Sequence, residues 1–192
     1  MTNRREILQA AAVSVFARGA RAAGRPPRSG LHAVLIDRRH TEARSLGADL
    51  TGRGAPVYAL PDGDITQLWL HQIDPAWRQK PVPVAGLTER PALFCLEQLG
   101  FTHRLRVVFH GEHIVHQDGR SEHALLRGAA AAELSTRDLV RAGPLWPALI
   151  AEVIANHRVP TRGVRAGRSE AALAPALPAG AHLLTSWIIA AV

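Results

Sequence analysis

The first half of the chain alternates short apolar runs with segments of helical spacing. His32–Asp37 is an apolar run that ends in an acid, and Pro56–Leu60 is a second one, so both predict buried strands. Between them, Thr41–Leu50 places alanine and leucine at helical intervals before two glycines. After a Pro-Asp-Gly-Asp turn, Ile65–Gln72 is a second predicted helix. The pattern is strand, helix, strand, helix.

The same alternation continues through the middle of the chain. Pro81–Ala85 predicts a third strand, at an edge or irregularly paired because its prolines lack a donor. Thr88 is the expected N-cap of a helix over Glu89–Leu99, which Gly100 would end. A fourth strand is expected over Arg104–Phe109.

Turn residues then predict a hairpin. A bend at Gly111 would let His113–Gln117 return as a strand, with the hairpin closed by Asp118-Gly119. Further on, Ser135 begins a helix signal, and Leu145–Asn156 is the strongest remaining helical pattern.

This order of elements predicts an α/β fold, a three-layer sandwich with a largely parallel sheet plus a β-hairpin extension. We expect the domain to cover residues 31–158. Residues 159–181 are rich in proline, glycine, arginine and alanine without periodicity, which predicts a linker. The apolar end, residues 182–192, is too short to span a bilayer and is expected to dock on the domain as a last strand.

The first 22 residues have a different character. Arg4 and Arg5 precede a weakly apolar stretch from Ile7 to Ala17, and Ala20-Arg21-Ala22 is a small-x-small cleavage pattern. This segment resembles bacterial twin-arginine translocation signal peptides, with Asn3 where a serine or threonine is commoner. The resemblance implies an exported, periplasmic protein that meets the translocation machinery through Arg4 and Arg5. An amphipathic helix is the alternative, but the apolar positions are contiguous rather than spaced.

Composition narrows the classes of function. The 192 residues are 47% hydrophobic and carry a formal charge of +7. Lys80 is the only lysine, the arginines are scattered and aromatic residues are 5%, so a nucleic-acid-binding face is not expected. One cysteine excludes an internal disulfide and a multi-cysteine metal site. That residue, Cys95, has apolar neighbours in the sequence and is expected in the core.

Ligands of open parallel sheets bind outside the carboxyl ends of the strands. Asp37, Thr88, His110 and His113 lie at such positions, so we expect them to form a ligand-binding crevice. A turn at Gly111 would bring His110 and His113 together as candidate metal ligands, since imidazole binds zinc or copper well. The alternative is that Asp37 and Thr88 are ordinary caps and the histidines are half-exposed hairpin residues.

No catalytic motif is complete, because nucleotide-binding glycine loops and a nucleophile elbow are both missing from the sequence. We therefore expect an exported α/β protein with a binding or accessory role, and a larger exported enzyme is a candidate partner. The alternative is a small metal-binding protein or enzyme that uses a histidine and aspartate site at the strand ends. The cofactor and the reaction, if there is one, stay open.

Overall fold

A computed structural model describes residues 30–127, 134–157 and 177–191. The predicted signal peptide, residues 1–22, and most of the predicted linker lie outside these ranges. Within the described residues no helix is long and apolar enough to cross a membrane.

The N-terminal half follows the alternation read from the sequence. Strand β1 is Ala33–Asp37, helix α1 is Thr41–Gly52 and strand β2 is Val57–Leu60. The next helical segment is broken into three parts: α2 (Thr66–Leu68), a π-helical turn (Trp69–Ile73) and α3 (Asp74–Gln79). Pro75 is the second residue of α3, directly after the π-helical turn, so its missing N–H falls where the hydrogen-bond pattern of the segment changes.

Two further strands and a helix form the middle of the chain. Strand β3 is Val84–Thr88, helix α4 is Arg90–Thr102 and strand β4 is Leu105–Val115. The prolines at 81 and 83 precede β3 rather than lying in it, so β3 can occupy the interior of the sheet.

The remaining elements complete the sheet and one of its faces. Strand β5 is Ser121–Arg127, helix α5 is Thr136–Ala142, helix α6 is Trp146–Asn156 and strand β6 is His182–Ala191. Ser135 and Asp138 form a capping box at the start of α5, as the sequence signal there predicts.

The fold is α/β, as predicted, with six strands in the order β2-β1-β3-β6-β4-β5. The sheet is parallel in one half only: β1 pairs parallel with β2 and β3. Strand β6 runs antiparallel between β3 and β4, and β4 and β5 form an antiparallel hairpin at the edge. The alternating pattern predicted the parallel half; it could not place the last strand inside the sheet.

Alternating strand residues face two separate hydrophobic clusters. One contains Val34 and Leu87 with buried residues of α1, α5 and α6, among them Trp146. The other contains Leu35 and Trp187 with buried residues of α3 and α4. Residues one apart on a strand belong to opposite clusters, so the two faces of the sheet pack against different sets of residues.

Strand β3 was expected at an edge or irregularly paired, which is wrong because it pairs regularly with β1 and β6 inside the sheet. Three further local predictions are wrong. Strand β4 passes through Gly111 without turning, and the hairpin turn comes instead at residues 116–120, around Asp118-Gly119. Thr88 is the last residue of β3, and Glu89 occupies the N-cap position of α4 without a side-chain cap. Cys95 is exposed because it lies on the outer face of α4, next to Phe94, which is 60% exposed.

Candidate functional site

The turn after β1 positions a group of charged side chains at the carboxyl end of the sheet. Asp37 ends β1, and its carbonyl oxygen accepts the backbone N–H of His40, which is the N-cap residue of α1. The guanidinium of Arg44 donates to the carbonyl oxygen of Arg38 at 2.6 Å and fixes the turn from the helix side. Asp37, Arg39 and His40 are thereby held close together.

Asp37 is a fully buried carboxylate that is neutralised by Arg39. The Arg39 guanidinium donates to both carboxylate oxygens, at 2.9 Å through Nε and 2.5 Å through Nη2, and its backbone N–H adds a third bond at 3.1 Å. Burial acts to raise the pKa of Asp37, but the hydrogen bonds and charge of Arg39 outweigh it and lower that pKa. The hydrogen bond to Asp37 in turn raises the pKa of Arg39.

Glu89, which follows β3, joins this group from the neighbouring strand. Its Oε2 lies 3.1 Å from Nη2 of Arg39, and its Oε1 lies 3.0 Å from Nε2 of His40. Nε2 of His40 is also 4.0 Å from Oδ2 of Asp37. Asp37, His40 and Glu89 therefore each offer one possible metal-ligand atom, and these three atoms lie within 4.8 Å of one another.

His182, the first residue of β6, supports His40 from the other side. Because β6 runs antiparallel to β3, its first residues lie beside the carboxyl ends of β1 and β3. The two imidazole rings stack with centroids 4.5 Å apart, and Nε2 of His182 lies 3.6 Å from a carboxylate oxygen of Glu42. His40 thus has one face covered by a ring and its Nε2 turned to the two carboxylates.

Gly63 leaves the space that the guanidinium of Arg39 occupies. Gly63 has a φ of 78°, and a side chain at that position would begin 2.8 Å from Nη2 of Arg39. Glycine therefore suits this turn both by its backbone conformation and by the space that it leaves for the guanidinium.

The structure brings together two of the four predicted site residues. Asp37 and Thr88 end the adjacent strands β1 and β3, but Thr88 is fully buried and its hydroxyl is occupied. That hydroxyl donates to the carbonyl oxygen of Glu89 and accepts the indole N–H of Trp187, while the Thr88 carbonyl oxygen accepts the hydroxyl of Thr185. Thr88 anchors the strand end rather than facing a ligand.

The two predicted histidines do not join this group. Strand β6 lies between β3 and β4, which moves β4 about two strand spacings, roughly 10 Å, from β3. His113 instead bonds to Ser186 and His123. Since β4 runs on through Gly111, His110 and His113 stay three positions apart on one strand, and among the described residues no third metal-ligating side chain groups with them.

The sequence reasoning missed His40, Glu89 and His182 as partners of Asp37. Two of them had a usable signal, because His40 and Glu89 each lie between the carboxyl end of a strand and the helix that follows it. His182 had none, since its place depends on β6 entering the sheet antiparallel.

Comparison of the chain with protein-family models, with curated proteins and with solved structures finds no match in any of the three. The geometry of the site is therefore the basis for any statement about function.

Proposed function

We propose that this protein binds a divalent transition-metal ion, with zinc as the first candidate, through Asp37, His40 and Glu89. The observation that carries the proposal is the convergence of one imidazole nitrogen and two carboxylate oxygens within 4.8 Å. Nitrogen and oxygen donors of these types are zinc ligands in proteins.

The separations fit a tetrahedral ion. Bonds of about 2.0–2.1 Å put the ligand atoms of a tetrahedral zinc roughly 3.4 Å apart. The distances from Nε2 of His40 to Glu89 and to Asp37, 3.0 and 4.0 Å, bracket that value. Small side-chain rotations are enough to bring the three atoms into place. Three protein ligands would leave the fourth position to water or to a bound molecule.

Arg39 supports the proposal because its guanidinium already balances the negative charge between Asp37 and Glu89. Its side chain is 41% exposed, so it can swing into solvent when a metal ion replaces its charge. In this proposal Arg39 and the ion compete for the same carboxylates, and removing Arg39 strengthens metal binding.

The test is calorimetric titration of the purified, metal-stripped protein with zinc, followed by metal analysis after dialysis. We expect one ion per chain. Asp37→Asn, His40→Ala and Glu89→Gln should each weaken binding by more than the roughly 10–100-fold typical of losing a supporting residue. Arg39→Met should bind zinc more tightly than the wild type.

Matched controls separate this site from weak binding elsewhere. Asp49→Asn removes a carboxylate that is paired with Arg53 on the surface, and His71→Ala removes an exposed histidine. Both should leave the zinc affinity unchanged. Absence of stoichiometric binding in the wild type, or equal losses in the control variants, would refute the metal site.

The setting that we propose for this activity is outside the cytoplasm. The twin-arginine-like segment at Arg4 and Arg5 supports export to the periplasm by the translocation machinery, and transition metals are available to exported proteins. A binding or accessory role beside a larger exported enzyme fits a small chain without a complete catalytic motif. The two hydrophobic clusters support a three-layer arrangement of helices, sheet and helices for the domain.

A further inference from the structure

A chain of buried polar side chains crosses the antiparallel half of the sheet, away from the proposed metal site. The Ser186 hydroxyl lies 2.7 Å from Nε2 of His113, and Nδ1 of His113 lies 2.8 Å from Nδ1 of His123. The ring of Trp146 stacks on His113 at 4.2 Å. All of these side chains are buried, but Nε2 of His123 has no hydrogen-bond partner among the described residues.

The protonation of the two rings limits this chain to two hydrogen-bond directions. Burial lowers the pKa of His113 well below its ordinary value, with a smaller effect of His123, and burial lowers that of His123 to about 4, so both rings are neutral at pH 7. A neutral imidazole has one donor and one acceptor nitrogen. The two tautomeric arrangements are therefore a chain running from Ser186 to His123 or the reverse.

Only the first arrangement gives the serine proton a partner. If Ser186 donates to His113 and His113 donates to His123, the single group left over is the Nε2–H of His123. In the reverse arrangement the Ser186 hydroxyl has no acceptor within the described residues, and His123 presents an unused lone pair. Each arrangement thus leaves one buried polar hydrogen without an acceptor, at a cost of about 1–3 kcal/mol, and an acceptor beside His123 would remove that cost in the first arrangement. In the first arrangement His123 is a buried donor, and an anion beside it would select that arrangement.

His123 lines a cavity of about 800 Å³ that is open to solvent and lies between the hairpin turn and helix α5. Arg120 from the turn and Arg137 and Arg141 from α5 line the same cavity. Arg137 and Arg141 are one helical turn apart, so their side chains lie on the same side of α5.

The charges in the cavity favour an anion. Three arginines line it against two carboxylates: Asp118 bonds to Arg120 at 2.7 Å, and Glu122 lies 2.8 Å from Nε2 of His116. Arg137 and Arg141 make no ion pair in the part of the chain that the structure describes, although their charge contributes to lowering the pKa of neighbouring Asp138, after its hydrogen bonds to Ser135.

We propose that this cavity binds a small organic oxyanion, a carboxylate or a phosphate ester, between Arg137, Arg141 and the Nε2–H of His123. Arginine guanidinium groups match carboxylate and phosphate oxygens in a bidentate fork. The volume exceeds that of an inorganic ion, and the exposed side chain of Val140 offers an apolar wall for the organic part of the ligand.

The experiment follows the imidazole resonances of the ¹⁵N-labelled protein by NMR in chloride buffer. Inorganic phosphate, phenyl phosphate and benzoate are added separately, each to about 20 mM. We expect saturable shifts of the His123 Nε2–H signal, with phenyl phosphate or benzoate binding more tightly than inorganic phosphate. Whether phenyl phosphate or benzoate binds more tightly shows whether the natural ligand is a phosphate ester or a carboxylate.

Surface variants keep the test independent of folding. Arg137→Gln and Arg141→Gln, both exposed on α5, should each weaken binding about tenfold, as expected for loss of a hydrogen bond to a charged group. Arg78→Gln changes the net charge equally but lies elsewhere on the surface, and it should bind like the wild type. No saturable shift with any probe, or equal weakening by Arg78→Gln, would overturn the proposal. Either outcome leaves zinc binding at Asp37 unaffected, so the two proposals fail separately.

Discussion

Replacing Arg39 by methionine tests the electrostatics of the strand-end site directly. The change keeps much of the side-chain stem but removes the guanidinium that bonds to both oxygens of Asp37. The buried carboxylate then retains only the backbone N–H of residue 39, at 3.1 Å, as a bonded neighbour within this turn. We therefore expect the free energy of unfolding at pH 7 to fall.

The size of the loss follows from burial. Removing one partner of a buried ion pair costs about 3–5 kcal/mol. Asp37 is fully buried, but Arg39 is 41% exposed, so water can reach the carboxylate once the side chain is shortened. The remaining backbone hydrogen bond reduces the loss further. We expect a decrease of about 2 kcal/mol, against the roughly 0.3–0.5 kcal/mol of a surface helix pair such as that removed by Arg53→Met.

The pH dependence identifies the cause. In the wild type the pKa of Asp37 is lowered, so its stabilising contribution is present above the unfolded pKa of about 4 and is lost as the pH falls through the folded value. In Arg39→Met, burial without the guanidinium favours protonated Asp37. The difference between wild type and variant should therefore shrink as the pH is lowered from 7 to 3.5 in urea unfolding experiments. A difference of equal size at both pH values would mean that lost packing, not the carboxylate, is responsible.

Three other predictions concern the rest of the chain. His123→Asn should reduce the loss of stability between about pH 6.5 and pH 4 by at most about 3 kcal/mol. The reason is that the wild-type ring, with its pKa of about 4, binds its proton only at a lower pH than the same ring in the unfolded chain. Unchanged acid sensitivity in urea unfolding would refute this. Cys95→Ser should change stability by less than about 0.5 kcal/mol, and the native thiol should react with a thiol reagent at once; labelling only after denaturation would contradict its exposure. Arg4→Lys with Arg5→Lys should retain the protein in the cytoplasm, since lysine lacks the guanidinium fork; cell fractionation showing unchanged export would rule out the twin-arginine assignment.

Local pattern was sufficient for the elements with strong periodicity and clear boundaries. The expected extents of β1 and α1 differ from the observed ones by two residues at most, and the helix ending at Asn156 was found in the same way. Such segments are defined by their own spacing and turn residues. The histidine-rich segment was different, because Gly111 looked like a bend but lies inside β4, where its lack of a side chain makes room for the Ser186 hydroxyl.

The prediction that Cys95 is buried was wrong for a related reason. Its apolar sequence neighbours suggested the core, but on a helix only the positions that face the sheet are buried. Ala92, Leu93 and Leu96 occupy that face of α4, which leaves residues 94 and 95 outward. Composition near a residue does not decide its burial in a helix; angular position does.

The position of strand β6 determines which polar residues lie close together, and no local sequence pattern predicts that position. Its first residue, His182, stacks on His40 at the proposed metal site, and Thr185 bonds to the end of β3 beside that site. One position further on, Ser186 starts the hydrogen-bonded chain that ends at His123. Because neighbouring residues of a strand face opposite sides of the sheet, Thr185 and Ser186 serve different faces. The same ten residues thus hold the two proposed sites in place, yet their partners are separated from them by about 70 to 140 positions in sequence, so their roles become visible only in the folded chain.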